Sequence, residues 1–251
     1  MIEELAGLLA DHHRILIFTG AGISTASGIP DYRGPQGVWK TRQPVYYQEF
    51  MASEDARKTY WQQKSEDFAT FADAEPNEVH KAIAALDEAG RVEMVVTQNV
   101  DGLHRAAGTS TDRLIEVHGT NALIECQSCG DRTDPATHHA RFAATGEPPV
   151  CSCGGFLKPA TISFGQNLRS KDLMAAFAAA ERCDMAMALG STLLVTPAAD
   201  VPRRAAMNGV PYAVVNRGDT GHDGLGIITL RLDGDVGELV PPAAALALGA
   251  G

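Results

Sequence analysis

The chain has 251 residues, more than one ordinary core requires and fewer than two comfortable ones, so a sizeable domain with a smaller satellite is expected. An apolar fraction of 45% and a charged fraction of 21% exclude a disordered, collagenous or fibrous protein. With 21 basic against 31 acidic residues the net charge is −10, which speaks against a general electrostatic grip on nucleic acid or an anionic membrane.

Met1-Ile2-Glu3-Glu4-Leu5 places two acids where a secretory signal carries positive charge, and no apolar run approaches the length of a bilayer span, so a cytoplasmic protein is expected. Ile2, Leu5, Leu8 and Leu9 recur at helical spacing. The period then changes to a continuous apolar run, Arg14 to Thr19, that ends in Gly20-Ala21-Gly22: helix, buried strand, glycine loop. Residues 33–75 hold both tryptophans and, with Tyr32 at the edge, four of the five tyrosines; no strand pattern is visible, and a mostly helical insertion is expected. Pro76 opens a helix lined by Val79, Ile83 and Leu86 and closed by Gly90, and Val92 to Thr97 follow as a strand. Residues 122–158 carry paired cysteines and several prolines but little periodicity, so they need a staple to hold a core. Further strands are expected at Met185 to Leu189, Pro211 to Val215 and Gly226 to Leu232, with helices from about Leu173 to Glu181 and from Pro197 to Met207. The Ala/Pro/Gly-rich tail after Val240 is expected to be loosely held. Strands alternating with helices give an α/β class with a parallel, doubly wound sheet.

In such sheets ligands bind beyond the carboxyl ends of the strands. Those ends read Thr19-Gly20-Ala21-Gly22-Ile23-Ser24, Thr97-Gln98-Asn99-Val100-Asp101, Gly190-Ser191-Thr192 and Asn216-Arg217-Gly218. Glycines let a backbone approach a pyrophosphate, and N–H groups opening the next helix favour its charge. The first loop departs from the dinucleotide fingerprint, because Thr25 stands at its third glycine and no acidic ribose ligand follows at the usual distance. Alone it reads equally well as a tight turn; the four strand ends together point to a nucleotide.

Four of the five cysteines fall as Cys126/Cys129 and Cys151/Cys153, and in a reducing compartment such pairs read as a metal site before they read as disulfides. The second pair is one residue shorter than the common knuckle, and reduced buried thiols are the alternative. His138 and His139 are expected in a solvent-facing loop, and the remaining histidines show no metal spacing.

The strings G-A-G-I-S-T-A-S-G-I-P-D-Y-R from Gly20, T-Q-N-V-D-G-L-H from Thr97, V-H-G at Val117 to Gly119, I-S-F-G-Q from Ile162 and G-S-T-L-L-V-T-P from Gly190 resemble the sirtuins, the NAD-dependent protein deacylases, in the family's order and over nearly the whole chain. The resemblance implies a Rossmann-type NAD-binding domain (1–32, 76–121 and 159–251), a helical module (33–75) and a zinc-binding module (122–158), with NAD and an acylated-lysine protein or peptide entering the cleft between them from opposite sides. In the family the acyl oxygen displaces nicotinamide, and free lysine and O-acyl-ADP-ribose result. Carried over, His118 is the general base toward a ribose hydroxyl, a task that suits an unperturbed pKa near ~6.5. Asn99 orders water and the ribose, and Asp101 holds nicotinamide or ribose. Gly20, Ala21 and Gly22 take the pyrophosphate side, Asp31, Tyr32 and Arg33 the nicotinamide ribose, and Gly190, Ser191, Asn216, Asp235 and Val236 the adenosine end; Ile23, Trp39, Gln98, Thr192 and Arg217 complete the cofactor-binding set. Ile162, Phe164 and Gly165 pair with the substrate backbone as an added strand. Cys126, Cys129, Cys151 and Cys153 hold one structural zinc. ADP-ribosyl transfer to protein, hydride transfer and a zinc-stapled nucleic-acid module are the competing readings, the last opposed by the net charge.

The branch of the family that removes succinyl and malonyl groups carries a Tyr-x-x-Arg pair. Tyr60-Trp61-Gln62-Gln63 keeps the tyrosine and puts an amide at the arginine position, which implies a preference for neutral acyl groups, acetyl first. Arg57 and Lys58 are the nearby cations that could restore the charge, and longer apolar chains need room beside Trp61 and Phe68.

Overall fold

The computed structural model describes residues 1–32 and 37–249. Helix α1 (Ile2–Asp11) buries Leu5, Ala6 and Leu9, and β1 (Ile15–Thr19) is buried at every residue. The glycine loop then runs into two single turns of tighter helix, Ala21–Ile23 and Thr25–Ser27, where an α-helix start was expected. The first insertion contains α2 (Tyr47–Ala52) and α3 (Glu54–Asp73), the latter capped by Ser53 Oγ, which accepts from Ala56 N. Next come α4 (Glu78–Glu88), β2 (Val92–Thr97), the short α5 (Leu103–Ala106) and β3 (Leu114–Glu116). The cysteine-bearing segment forms β4 (Gly119–Cys126), β5 (Arg132–Thr133), α6 (Pro135–Thr145) and β6 (Leu157–Thr161). The chain closes with α7 (Ser170–Arg182), β7 (Met185–Leu189), α8 (Asp200–Met207), β8 (Tyr212–Asn216), β9 (Leu230–Asp233) and α9 (Val236–Ala247).

Six strands pair in the order β3-β2-β1-β7-β8-β9, all parallel. Strand side chains alternate between faces. Ile15 and Ile17 of β1 therefore join α1, α4 and α9 in one core, while Leu16 and Phe18 join α7 and α8 in the other. Connections lead outward from β1 through β2 to β3 and then return to β7 on the other side of β1. The order reverses between β1 and β7, and a crevice opens there at the carboxyl ends.

A second, three-stranded antiparallel sheet runs β5-β4-β6. It shares one core with the helical insertion: Phe50, Tyr60 and Trp61 pack on Ile124, Cys126, Phe142 and Leu157. Trp61 is fully buried, and its indole N–H donates to the Leu157 carbonyl at 3.0 Å. The two excursions from the large sheet thus solve each other's shortage of apolar surface.

Several local expectations are corrected. Asn77, whose Oδ1 accepts from Val79 N at 3.0 Å, caps α4, so Pro76 lies outside the helix. Gly226 has φ +66 and ends a turn, so the last strand begins only at Leu230. The tail is a packed helix: Pro241 and Pro242 lie within α9, and the ~3 kcal/mol cost of an interior proline is outweighed by burial of Val236, Leu239, Val240, Ala243 and Ala244 against α1 and α4. His138 and His139 lie on α6; His139 is 6% exposed, its ring stacks on Phe68 at 4.1 Å and its Nδ1 meets Ser65 Oγ at 3.0 Å. The sheet edge β3 and the β4/β6 ladder are further strands that the apolar pattern does not announce.

Candidate active site

The loops after β1 and β7 touch through their backbones. Gly20 N donates to Leu189 O at 3.0 Å and Gly22 N to Gly190 O at 2.8 Å. A Cβ at Gly20 would stand 2.7 Å from Ser191 Cβ, one at Gly22 would stand 2.8 Å from Gly190 Cα, and one at Gly190, where φ is +58, would stand 2.6 Å from Ile23 N. These glycines are therefore required first by loop-to-loop contact, and that contact leaves Ala21 and Gly22 on the wall of the crevice.

Polar groups at the ends of β1 and β2 are tied together beneath this contact. Thr19 Oγ1 donates to Thr97 Oγ1 at 2.8 Å, so it must accept from His104 Nε2 at 2.9 Å, which fixes that buried ring's tautomer. Thr97 Oγ1 also accepts from Asn99 N, and Asn99 Nδ2 donates to Gly20 O and to Ser24 Oγ, each at 3.1 Å. Ser24 Oγ in turn donates to Asp101 Oδ2 at 2.8 Å, while Asp101 Oδ1 accepts from Leu103 N. Gln98 links two further loops: its Oε1 accepts from Ser191 Oγ at 2.8 Å, and its main-chain carbonyl accepts from His118 Nδ1 at 3.1 Å. A carbonyl cannot donate, so His118 carries its proton on Nδ1 and its basic lone pair on Nε2.

The crevice is a cleft of about 980 Å³, lined by Ala21, Asp31, Asn99, His118, Ser191 and Asn216 among others. One wall is aromatic: Tyr32 and Trp39 have ring centroids 4.9 Å apart, Trp39 meets Phe164 edge-on at 4.9 Å, and Tyr46 adjoins Phe164 at 5.8 Å. Burial pushes the Tyr32 phenol above its ordinary value, so its hydroxyl stays protonated at neutral pH. Part of the segment after β6 is already committed: Ile162 N donates to His118 O, Phe164 O accepts from Tyr47 N, and Gly165 O accepts from Gln48 Nε2. At the far end Asn216 Nδ2 donates to the carbonyls of Arg217 and Gly218, and Arg217 pairs with Asp235 at 3.0 Å.

Of the residues expected from the sequence, Ala21, Gly22, Asp31, Tyr32, Trp39, Tyr60, Gln98, Asn99, His118, Ile162, Phe164, Gly165, Gly190, Ser191, Thr192, Asn216, Arg217, Asp235 and Val236 all line this one cleft. The side chain of Ile23 is in the core, and Asp101 faces a neighbouring cavity of about 280 Å³. Arg33 lies outside the described residues. Thr19, Thr97, Ser24 and His104 form a supporting network that the motif reading passed over; hydroxyls at two adjacent strand ends were its only sequence signal. Lys64, Arg42 and Asp67 also line the cleft and were not anticipated there.

The four paired cysteines converge away from the cleft. Cys126 Sγ lies 3.6 Å from Cys153 Sγ, Cys129 Sγ lies 3.8 Å from Cys151 Sγ, and all four lie within 4.8 Å of one another. Sulfurs at the corners of a tetrahedron with metal–sulfur bonds of ~2.3 Å are about 3.8 Å apart, so the set fits zinc. The shortened Cys151-x-Cys153 pair still delivers its second thiol, because Gly155 leaves space: a Cβ there would stand 2.5 Å from Cys126 Sγ. All four positions of a zinc ion would be filled by protein, which is a structural arrangement.

The chain matches the Sir2 family over residues 20–197. It is 39% identical over 242 residues to an NAD-dependent protein deacetylase of Rhodopseudomonas palustris, covering 96% of this chain and 95% of that one. It is 41% identical over 223 residues to NAD-dependent protein deacetylase 2 of Streptomyces coelicolor, covering 86% and 91%. Among solved structures, Sir2 with a p53 peptide and NAD+ superposes with a TM-score of 0.86 at 31% identity, covering 99% of this chain and 98% of that one. A Sir2 variant with a deacetylated p53 peptide and 3'-O-acetyl-ADP-ribose gives 0.89 at 32% identity over the same shares. The chain belongs to the Sir2 family.

Proposed function

We propose that this protein is an NAD-dependent protein-lysine deacetylase. The observation that carries the reading is the meeting, in one cleft, of the glycine contact after β1 and β7, the Asn99 amide and the His118 ring beside an unfinished strand edge. NAD+ supplies both leaving group and acceptor: nicotinamide departs, the acyl group ends on a ribose hydroxyl, and one water balances release of the free lysine amine.

The chain's own residues have the following parts in this reading. His118 Nε2 takes the proton of a ribose hydroxyl, and the Gln98 carbonyl holds the ring in the tautomer that can do so. Asn99, fixed by Gly20 and Ser24, orients that ribose, and Asp101 holds Ser24 from behind. Ala21, Gly22, Ser191 and Thr192 border the pyrophosphate, and Asn216 with the Arg217–Asp235 pair borders the adenosine end. Tyr32, Trp39 and Phe164 keep water from the reacting carbons. Among the described residues no hydrogen bond engages the Ile162 carbonyl or the Phe164 N–H, so these remain for a peptide added as a strand. The zinc is structural, and the segments 33–75 and 122–158 act as one substrate-side unit because they share a core. Cysteines paired as a metal site rather than as disulfides support a reducing compartment, the cytoplasm.

Mass spectrometry of the products from NAD+ and an acetyl-lysine peptide tests the assignment. Equimolar O-acetyl-ADP-ribose, nicotinamide and free-lysine peptide are expected; nicotinamide without deacetylated peptide would replace it with glycohydrolase or ADP-ribosyl transfer.

A further inference from the structure

The aromatic wall of the cleft is carried by chain with little regular structure. Residues 37–46, which lead into α2, contain a single tight turn, Val38–Lys40, and Trp39 of that turn meets both Tyr32 and Phe164. Val38 N donates to Asp31 O at 3.0 Å and Trp39 N to Tyr32 O at 3.2 Å. These main-chain bonds tie Trp39 to the stretch that carries Tyr32; what ties its turn to the helical insertion is a side chain, that of Arg42.

Arg42 N donates to Val38 O at 3.1 Å, which closes the turn, and the guanidinium crosses to α3. Nη1 donates to the two Asp67 oxygens at 3.0 and 3.1 Å and to Gln63 O at 3.5 Å, and Nη2 donates to Glu66 Oε2 at 2.9 Å. Gln63 Nε2 donates back to Gln43 O at 3.1 Å. Positions 63, 66 and 67 stand three and four residues apart, so one patch of the helix surface receives the whole group. Guanidinium donors lie in one rigid plane, and engaging several of them at once fixes direction as well as distance. Arg42 is 30% exposed, where an ion pair adds little to stability. Its effect is therefore on position. α3 itself is anchored by Trp61 in the core of the smaller unit, so Arg42 refers Trp39 to a rigid element.

Arg42, Asp67, Tyr32, Trp39 and Phe164 all line the cleft. On the deacetylase reading, on which this inference rests, the bond between nicotinamide and the ribose C1′ breaks and leaves that carbon short of electrons. Two oxygens compete for it. Attack by the acyl oxygen leads on to free lysine. Attack by water forms the C1′–O bond to the water oxygen, releases one proton and gives ADP-ribose, and the peptide keeps its acetyl group. An aromatic wall that excludes water favours the first outcome, and it does so only while its rings stay in contact.

We propose that Arg42 is a positioning residue for the reaction: its clasp on Gln63, Glu66 and Asp67 of α3 holds Trp39 against Tyr32 and Phe164, and so commits the activated ribose to the acyl oxygen over water. Arg42 acts through Trp39 and touches neither reacting group. Its loss shows first as NAD+ consumed without deacetylation, and only second as a slower enzyme.

The experiment measures nicotinamide released against deacetylated peptide formed, with NAD+ and an acetyl-lysine peptide both saturating, for the wild type, Arg42→Gln, Arg42→Lys and Asp67→Asn. Expected are equimolar products from the wild type, a twofold or greater excess of nicotinamide from Arg42→Gln and from Asp67→Asn, and a smaller excess from Arg42→Lys, which keeps the charge and loses the fork. Tryptophan emission gives a second readout, because Trp39 and the fully buried Trp61 are the chain's two tryptophans. Arg42→Gln should shift the emission to the red, and the same change made in a Trp39→Phe protein should not. Equimolar products from Arg42→Gln, whether turnover is kept or lost, would overturn the positioning role, and so would a red shift that persists without Trp39. If Arg42→Gln does not fold, Asp67→Asn, which retains the arginine, decides the same ratio. A wild type that forms no deacetylated peptide would remove the deacetylase reading and this inference with it, whereas equimolar products throughout would remove the inference alone.

Discussion

His118 Nδ1 donates to the main-chain carbonyl of Gln98 at 3.1 Å, so the orientation of the imidazole is set by the backbone that follows β2. The ring is not part of a core cluster. His118→Ala should therefore lower turnover by ~10²- to 10⁴-fold, the range typical of a lost general base, with NAD+ binding and melting temperature nearly unchanged. Single-turnover kinetics with calorimetric NAD+ titration check this, and retention of half the wild-type rate would remove the assigned role.

Gly190→Ala and Gly28→Ala form a matched pair. Both positions have positive φ, +58 and +83, but a Cβ at Gly28 meets nothing within 4 Å whereas one at Gly190 lies 2.6 Å from Ile23 N. Left-handed backbone costs ~1–2 kcal/mol outside glycine. Gly28→Ala should lose about that much, and Gly190→Ala distinctly more, with weakened NAD+ binding because the loops after β1 and β7 are forced apart. Urea unfolding of both variants decides it; equal losses would mean that the loop contact is slack.

Cys153→Ala should remove zinc and destabilise more than the segment that carries it. Cys126, a member of the set, is packed with Trp61, Phe50 and Phe142 in one core, so chelation is expected to loosen α2 and α3 as well. Hydrogen exchange of α3 after chelation is the measurement. Protection unchanged in α3 alongside exchange in β5 and α6 would show that the two excursions fold independently.

Burial draws His104 down to about 3 and His139 down to about 4. In the unfolded chain both titrate near ~6.5. Between these values the unfolded state binds more protons, so stability rises with pH: it is fully present above ~6.5 and is lost as pH falls toward 4. The urea midpoint should fall from pH 7.5 to pH 5.5, and by less in His139→Phe than in the wild type; this difference separates the histidine from acid release of the metal. An identical fall in both proteins would mean that His139 is already solvated.

The inner strands β1, β2, β7 and β8 are legible because burial on both faces writes them as apolar runs of strand length. Strand β3 is not, since Leu114, Ile115 and Glu116 are each only half-buried at the sheet edge. α9 was hidden by Pro241 and Pro242, whose local preference is overridden by packing against α1 and α4. The cleft residues were found through motif strings, whereas the hydroxyl network of Thr19, Thr97 and Ser24 depends on pairings across about 80 positions that no local pattern encodes.

The segment between Gly119 and Thr161 begins and ends at one point, because these two residues face each other at the base of the β4/β6 ladder. A Cβ at Gly119 would run into the Ala160 carbonyl, so the two strands are pressed together at the start of the ladder. The ends of the excursion are thus already closed by the fold, and lengthening the stretch between β5 and β6 adds only the slow logarithmic cost of a larger loop, about 0.6 kcal/mol per doubling. Insertions near Gly146, which ends α6 at the surface, should consequently leave the geometry of the cleft untouched.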